Sequence, residues 1–138
     1  MQPLKRPGKS RRDSRRGLAV VELAISLPLL LMLTFATIEA SNAIYLKQSL
    51  TLAAYEAART ATGPGGTEDD GQLRADEILG ARNIRNSSVS FSPRLTANLP
   101  TGTAITITVS APSNSNSVGP QWHIRNSTIR AQVVMPRL

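Results

Sequence analysis

The sequence predicts an α+β protein: a long N-terminal helix, membrane-spanning in its first half, with a small head of one short helix and about three antiparallel strands packed on it. Three observations predict this. From Leu18 to Ile38 the chain is apolar except for Glu22. Beyond that run, Leu46, Leu50, Ala53, Ala54, Ala57 and Ala61 recur at helical spacings of three and four. After Asn86 the period becomes two, in Ser88-Val89-Ser90-Phe91-Ser92 and again in Thr103-Ala104-Ile105-Thr106-Ile107-Thr108-Val109.

The first segment, 1–17, reads as a basic, disordered leader, with seven bases and one acid through Arg16, two prolines and no apolar periodicity. Its bases are Lys5, Arg6, Lys9, Arg11, Arg12, Arg15 and Arg16. They account for most of the formal charge of +7, because nine bases and eight acids remain beyond position 16. Charge confined to one end and set flush against an apolar run argues for cytoplasmic retention of that end, not for nucleic-acid binding. A lesser use of the same bases is weak attraction to anionic lipid.

Residues 18–38 form a run of 21 with one charge, about 31 Å as a helix and close to the hydrocarbon thickness of a bilayer. Glu22, fifth in the run, is costly there, about 2.5–3.5 kcal/mol at mid-membrane and less near the interface. Were the chain cut after Gly17, the new amine of Leu18 would lie one turn, about 6 Å, from Glu22, and the two could neutralise each other within a chain or between neighbours. The plainer readings are that Gly17 is a flexible joint and Glu22 an interface residue that snorkels. Pro28 removes a backbone donor and crowds the carbonyl of Ala24, so a kink is expected, with Ser26 as a nearby hydroxyl to serve the freed group.

Residues 39–62 continue the helix out of the membrane along the alanine stripe, with Glu56 and Arg59 as an i,i+3 pair. Helix 18–62 would be a rod of roughly 67 Å that Gly63-Pro64-Gly65-Gly66 stops. Residues 63–138 form the head. Thr67-Glu68-Asp69-Asp70 offers a hydroxyl and three carboxylates where a helix start needs them, and a short helix to about Asn83 follows, weakened by Gly71 and Gly80. Ile105, Ile107 and Val109 should share one buried face. Pro112 to Gly119 reads as a polar loop, and Thr128 to Met135 as a last strand with Ile129, Ala131, Val133 and Met135 inward. Three strands cannot hide an apolar face alone, so the outer half of the rod and the short helix must cover it. With aromatics at 4% and no cysteine, that core is aliphatic and has no disulfide help.

Nothing in the chain suggests catalysis, a metal or a cofactor. His123 stands alone in a polar loop beside Trp122, which is expected to cap the edge of the core. Glu68, Asp69, Asp70, Asp76 and Glu77 lack the spacing of a calcium loop and fit a helix start better. Ser41-Asn42-Ala43 presents small residues before a possible secretory cut, but the apolar run is long for a signal peptide; a mature start at Ile44 would decide for that route.

With these residues placed, the sequence resembles the TadE-like pseudopilins of the tight-adherence (Tad) or Flp pilus system, within the wider type IV pilin group. Arg16-Gly17-Leu18-Ala19-Val20-Val21-Glu22 resembles the class III prepilin signal, in which a prepilin peptidase cuts after the glycine and the glutamate becomes the fifth mature residue. Leu27-Pro28-Leu29-Leu30-Leu31, Ile38-Glu39, Ala43-Ile44-Tyr45-Leu46-Lys47-Gln48-Ser49-Leu50 and Ala53-Ala54-Tyr55-Glu56-Ala57-Ala58-Arg59 continue the family's pattern. Two departures separate the chain from the short major pilin, which usually has tyrosine after the glutamate: here Leu23 follows, and a head of some 75 residues is attached. The head matches only loosely, through its strand layout and the closing Arg130-Ala131-Gln132-Val133-Val134-Met135.

The resemblance implies a minor pilin-like subunit that is cut after Gly17, held in the bacterial inner membrane with its head outside the cytoplasm, and assembled by helix packing. Its implied partners are the prepilin peptidase, other pilin and pseudopilin subunits and the inner membrane, with no small-molecule substrate and no nucleic acid. The competing reading is an uncleaved signal anchor whose head binds a partner protein at the membrane surface.

Overall fold

The structure, a computed structural model, describes residues 11–96, 98–122 and 124–138, with side chains from Gly17 onward. The first ten residues, the side chains of Arg11, Arg12, Arg15 and Arg16, and His123 lie outside the described residues. Its elements run in the order α1 (Arg11–Thr62), α2 (Glu68–Ala81), β1 (Ser88–Ser92), β2 (Ala104–Pro112) and β3 (Thr128–Pro136). The architecture is α+β, as the sequence predicts. Helix α1 starts at Arg11, ahead of the expected Leu18. A helix nucleated in the apolar run propagates cheaply, and arginine is a good helix former, so part of the segment expected to be unstructured is helical.

Two compact units divide between Thr37 and Ile38. In the first, the residues from Gly17 to Thr34 are exposed all round the helix, including Leu18, Leu23, Ile25, Leu29 and Leu33. A helix apolar on every side has its partner outside its own chain, in lipid or in other helices. Its hydroxyls bond back into the same helix, Ser26 to the carbonyl of Glu22 at 2.7 Å, Thr34 to that of Leu30 at 2.8 Å and Thr37 to that of Leu33 at 2.9 Å. Such internal bonding is what a hydrocarbon environment requires. Ser26 thus serves Glu22 rather than the Ala24 carbonyl crowded by Pro28, because its reach is one full turn backward.

In the second unit the outer part of α1 and helix α2 cover one face of a three-stranded antiparallel sheet of order β1-β2-β3. Central strand β2 buries Ile105, Ile107, Val109 and Ala111 on that face. The register sets Phe91, Ile107 and Val133 in one row and Val89, Val109 and Ala131 in the next. Opposite them stand Leu46, Leu50, Ala53, Ala54, Ala57, Ala58 and Ala61 of α1, all buried. Each fully buried Ile, Leu or Val contributes about 1.5–3 kcal/mol. The small residues of the stripe are therefore occupied within the chain, where alanine lets sheet and helix approach closely.

Helix α2 starts as the sequence predicts. Thr67 is its N-cap, and Asp70 completes a capping box: the Asp70 N–H donates to Thr67 Oγ1 at 3.2 Å and the Thr67 N–H to Asp70 Oδ2 at 3.1 Å. Three of the other acids are engaged too. Glu68 Oε2 accepts the Leu95 N–H at 3.1 Å, Asp76 accepts from Gln72, and Glu77 pairs with Arg74 at 3.1 Å. Arg74 also lies 3.7 Å from Glu56, so the ion pair recorded for Glu56 among the described residues reaches α2 instead of Arg59.

Two expectations for the loops change. Strand β2 runs on to Pro112, which ends it at the edge of its pairing with Thr128. Trp122 does not cap the core: its side chain is 58% exposed, because the loop that carries it is held by its backbone.

Candidate functional site

The residues expected to matter for processing lie at the start of the apolar run. Gly17 and Leu18 are both within α1; a Cβ at Gly17 would meet nothing within 4 Å, and Leu18 is 68% exposed. Glu22 follows Leu18 by one turn on the same helical face. Its side chain is exposed, as are all its apolar neighbours in the run. Pro28 sits inside α1, which passes through it. The helix from Gly17 onward contains one stretch long and apolar enough to cross a membrane.

A second feature lies where that stretch ends. Glu39 immediately follows Ile38, yet it is only 7% exposed. Its Oε1 accepts backbone N–H groups from Trp122 at 3.1 Å and Ile124 at 2.6 Å. Three residues on, Asn42 Nδ2 donates to the Val118 carbonyl at 2.8 Å. Gly119 lies between these attachments with φ +93, and a Cβ there would come 3.7 Å from Ile38 Cγ2. The loop following β2 is thereby fixed to the first turn of α1 beyond the apolar run. A buried carboxylate costs stability unless hydrogen-bonded, and the two amides offset that cost.

Replacing Glu39 with Ala should free this loop, since each orphaned buried amide costs about 1–3 kcal/mol. Hydrogen exchange at the amides of Trp122 and Ile124 should rise by roughly tenfold or more, with the sheet amides of Ile107 and Val133 little changed. Unchanged protection at Trp122 and Ile124 would show that the carboxylate does not hold the loop.

In the sequence Glu39 stands out only as part of a family pattern, although a signal for its role is present. Extending the buried stripe backward from Leu46 by three and then four residues passes through Ala43 and reaches Glu39. An acid on the buried face of a helix needs donors.

One family model matches part of the chain, and the match falls within α1. Residues 17–59 match the TadE-like protein family. The TadE-like segment begins at Gly17, takes in Glu22, Pro28, Glu39 and most of the buried alanine stripe, and stops before α2. It is consistent with a pilin-like protein associated with Tad pilus systems, a structural family, and its apolar helix fits a single-pass membrane anchor. No curated protein and no solved structure matches the chain.

Proposed function

We propose that the chain is a minor pilin-like subunit of a Tad or Flp-type adhesive pilus, cut after Gly17 by a prepilin peptidase and assembled with other pilin and pseudopilin subunits through its apolar helix. Residues 18–38 anchor it in the bacterial inner membrane, with the basic residues Arg11, Arg12, Arg15 and Arg16 on the cytoplasmic side and the head beyond the membrane. The observation that carries this reading is the TadE-like match, which opens on Gly17 and holds Glu22 in a helix whose apolar surface is exposed on every side.

Two physical arguments support the details. Glycine inside a helix costs about 1 kcal/mol relative to alanine, so the segment before Leu18 is readily unwound for a peptidase. The charge of Glu22 in an apolar setting is then matched by the amine that cleavage creates, one turn away, and in a filament that pair sets the axial register of neighbouring helices. A continuous helix through Gly17 is also what an uncleaved signal anchor would have.

Sheared pilus fractions discriminate the two readings. The chain is expected in those fractions from cells with an active prepilin peptidase and only in the membrane fraction when the peptidase is inactivated. A chain that stays in the membrane fraction under both conditions, in cells that make pili, contradicts the subunit role.

A further inference from the structure

Among the described residues, the loop between β2 and β3 combines two properties that loops rarely share. It is firmly held, through the carboxylate of Glu39 on the amides of Trp122 and Ile124 and through Asn42 on the Val118 carbonyl. Yet it presents large apolar side chains outward, with Val118 80% and Trp122 58% exposed. The rigid backbone and the exposed indole together are what a fixed contact surface needs.

Its position suggests what it contacts. The attachment points on α1 are Ile38, Glu39 and Asn42, and Ile38 is the last residue of the apolar run. A run of 21 residues is about 31 Å of helix, which places Ile38 at the edge of the hydrocarbon when the run crosses a bilayer. A loop seated on Ile38 to Asn42 is attached within about a turn of that edge, close to the headgroup level. Tryptophan favours that level, where its ring is apolar and its N–H can meet water or phosphate. Arg125, exposed in the same loop and its single charged residue, is suited to lipid phosphate.

We infer that the loop 118–125 is a membrane-interface element, which seats Trp122 and Val118 among the phospholipid headgroups beside the point where α1 leaves the bilayer. The inference rests on the proposed membrane anchoring of the apolar run. Held in this way, the loop fixes the second unit to the membrane surface before the subunit is extracted into a pilus, so extraction must release the indole from lipid.

Trp122 is the chain's single tryptophan, so its fluorescence reports on this loop alone. The full chain is reconstituted into phosphatidylcholine and phosphatidylglycerol vesicles carrying bromine at either shallow or deep acyl positions, and flotation is measured on the same samples. The expected result is a chain that floats, with blue-shifted emission, protection from acrylamide, and at least about twofold stronger quenching by the shallow bromines than by the deep ones. A chain that floats while its emission stays that of a water-exposed indole, unquenched by either lipid, overturns the inference and leaves the anchor standing. Shielding that disappears as protein is diluted in lipid also overturns it, by showing that a second copy covers the indole. A chain that fails to float overturns the anchor and the inference with it.

Discussion

Replacing Glu22 by Gln should leave the chain in the membrane and remove it from the pilus. The two effects have opposite signs. Without the carboxylate the apolar run inserts more easily, since a charge within it costs up to about 2.5–3.5 kcal/mol. In the proposed assembly the Leu18 amine loses its partner, and breaking a buried pair on one side costs about 3–5 kcal/mol, on the order of a hundredfold to several thousandfold in an equilibrium. The measurement is the ratio of the chain in sheared pili to the chain in carbonate-washed membranes. A ratio equal to that of the native chain would remove the register argument while leaving the anchor intact.

A large stability effect is expected at Gly71. In α2 this residue faces α1 so closely that an added Cβ would stand 2.8 Å from Ala61 Cβ, 2.9 Å from the Ala57 carbonyl oxygen and 3.1 Å from Phe91 Cζ. Two of those atoms belong to a packed helix and the third to the core, so none gives way cheaply. Gly71→Ala gains up to about 1 kcal/mol of helix propensity, but overpacking costs typically about 1–3 kcal/mol, and this contact is tight on three sides. The net should be a loss, and Gly71→Val a larger one. Gly80 of the same helix supplies the control, because it is exposed and a Cβ there would meet nothing within 4 Å. Gly80→Ala should therefore raise stability by up to about 1 kcal/mol. Thermal unfolding of the detergent-solubilised chain, followed by the loss of sheet signal, should move the two alanine variants in opposite directions; movement in the same direction would show that helix propensity decides, and not the crossing of α2 over α1.

Those glycines show where the sequence is readable and where it is not. Read as a helix pattern alone, Gly71 and Gly80 look equivalent, two weak points in one short segment. Only the third dimension separates them, since the neighbour that Gly71 must admit is Ala61, ten positions away and on another helix. By contrast, the faces of the sheet were legible because they follow from alternation: Ile105, Ile107 and Val109 are buried as the period-two pattern requires. The cap at Thr67 was equally legible, being set by residues within one turn of one another. Trp122 departs from its expected place for a long-range reason. A lone tryptophan suggests a core residue, but Glu39, far away in sequence, takes the amide of Trp122 and leaves its ring outside.

The alanine stripe holds a further lesson. Its spacing on α1 marks a face for close packing without saying whose. In the structure that face is filled by the chain's own sheet and by α2, so the apolar surface that α1 leaves exposed is the run itself together with Ile44, Tyr45, Leu52 and Tyr55 on its outer part. The proposed assembly interface draws on that exposed surface, and within the run Glu22 is the charged residue.

The central claim is that cleavage and assembly are linked through Leu18 and Glu22. Its most direct test is the intact mass of the membrane-extracted protein from cells with an active prepilin peptidase. The account predicts a chain beginning at Leu18. A chain beginning at Met1, or at Ile44 after secretory processing, would contradict it.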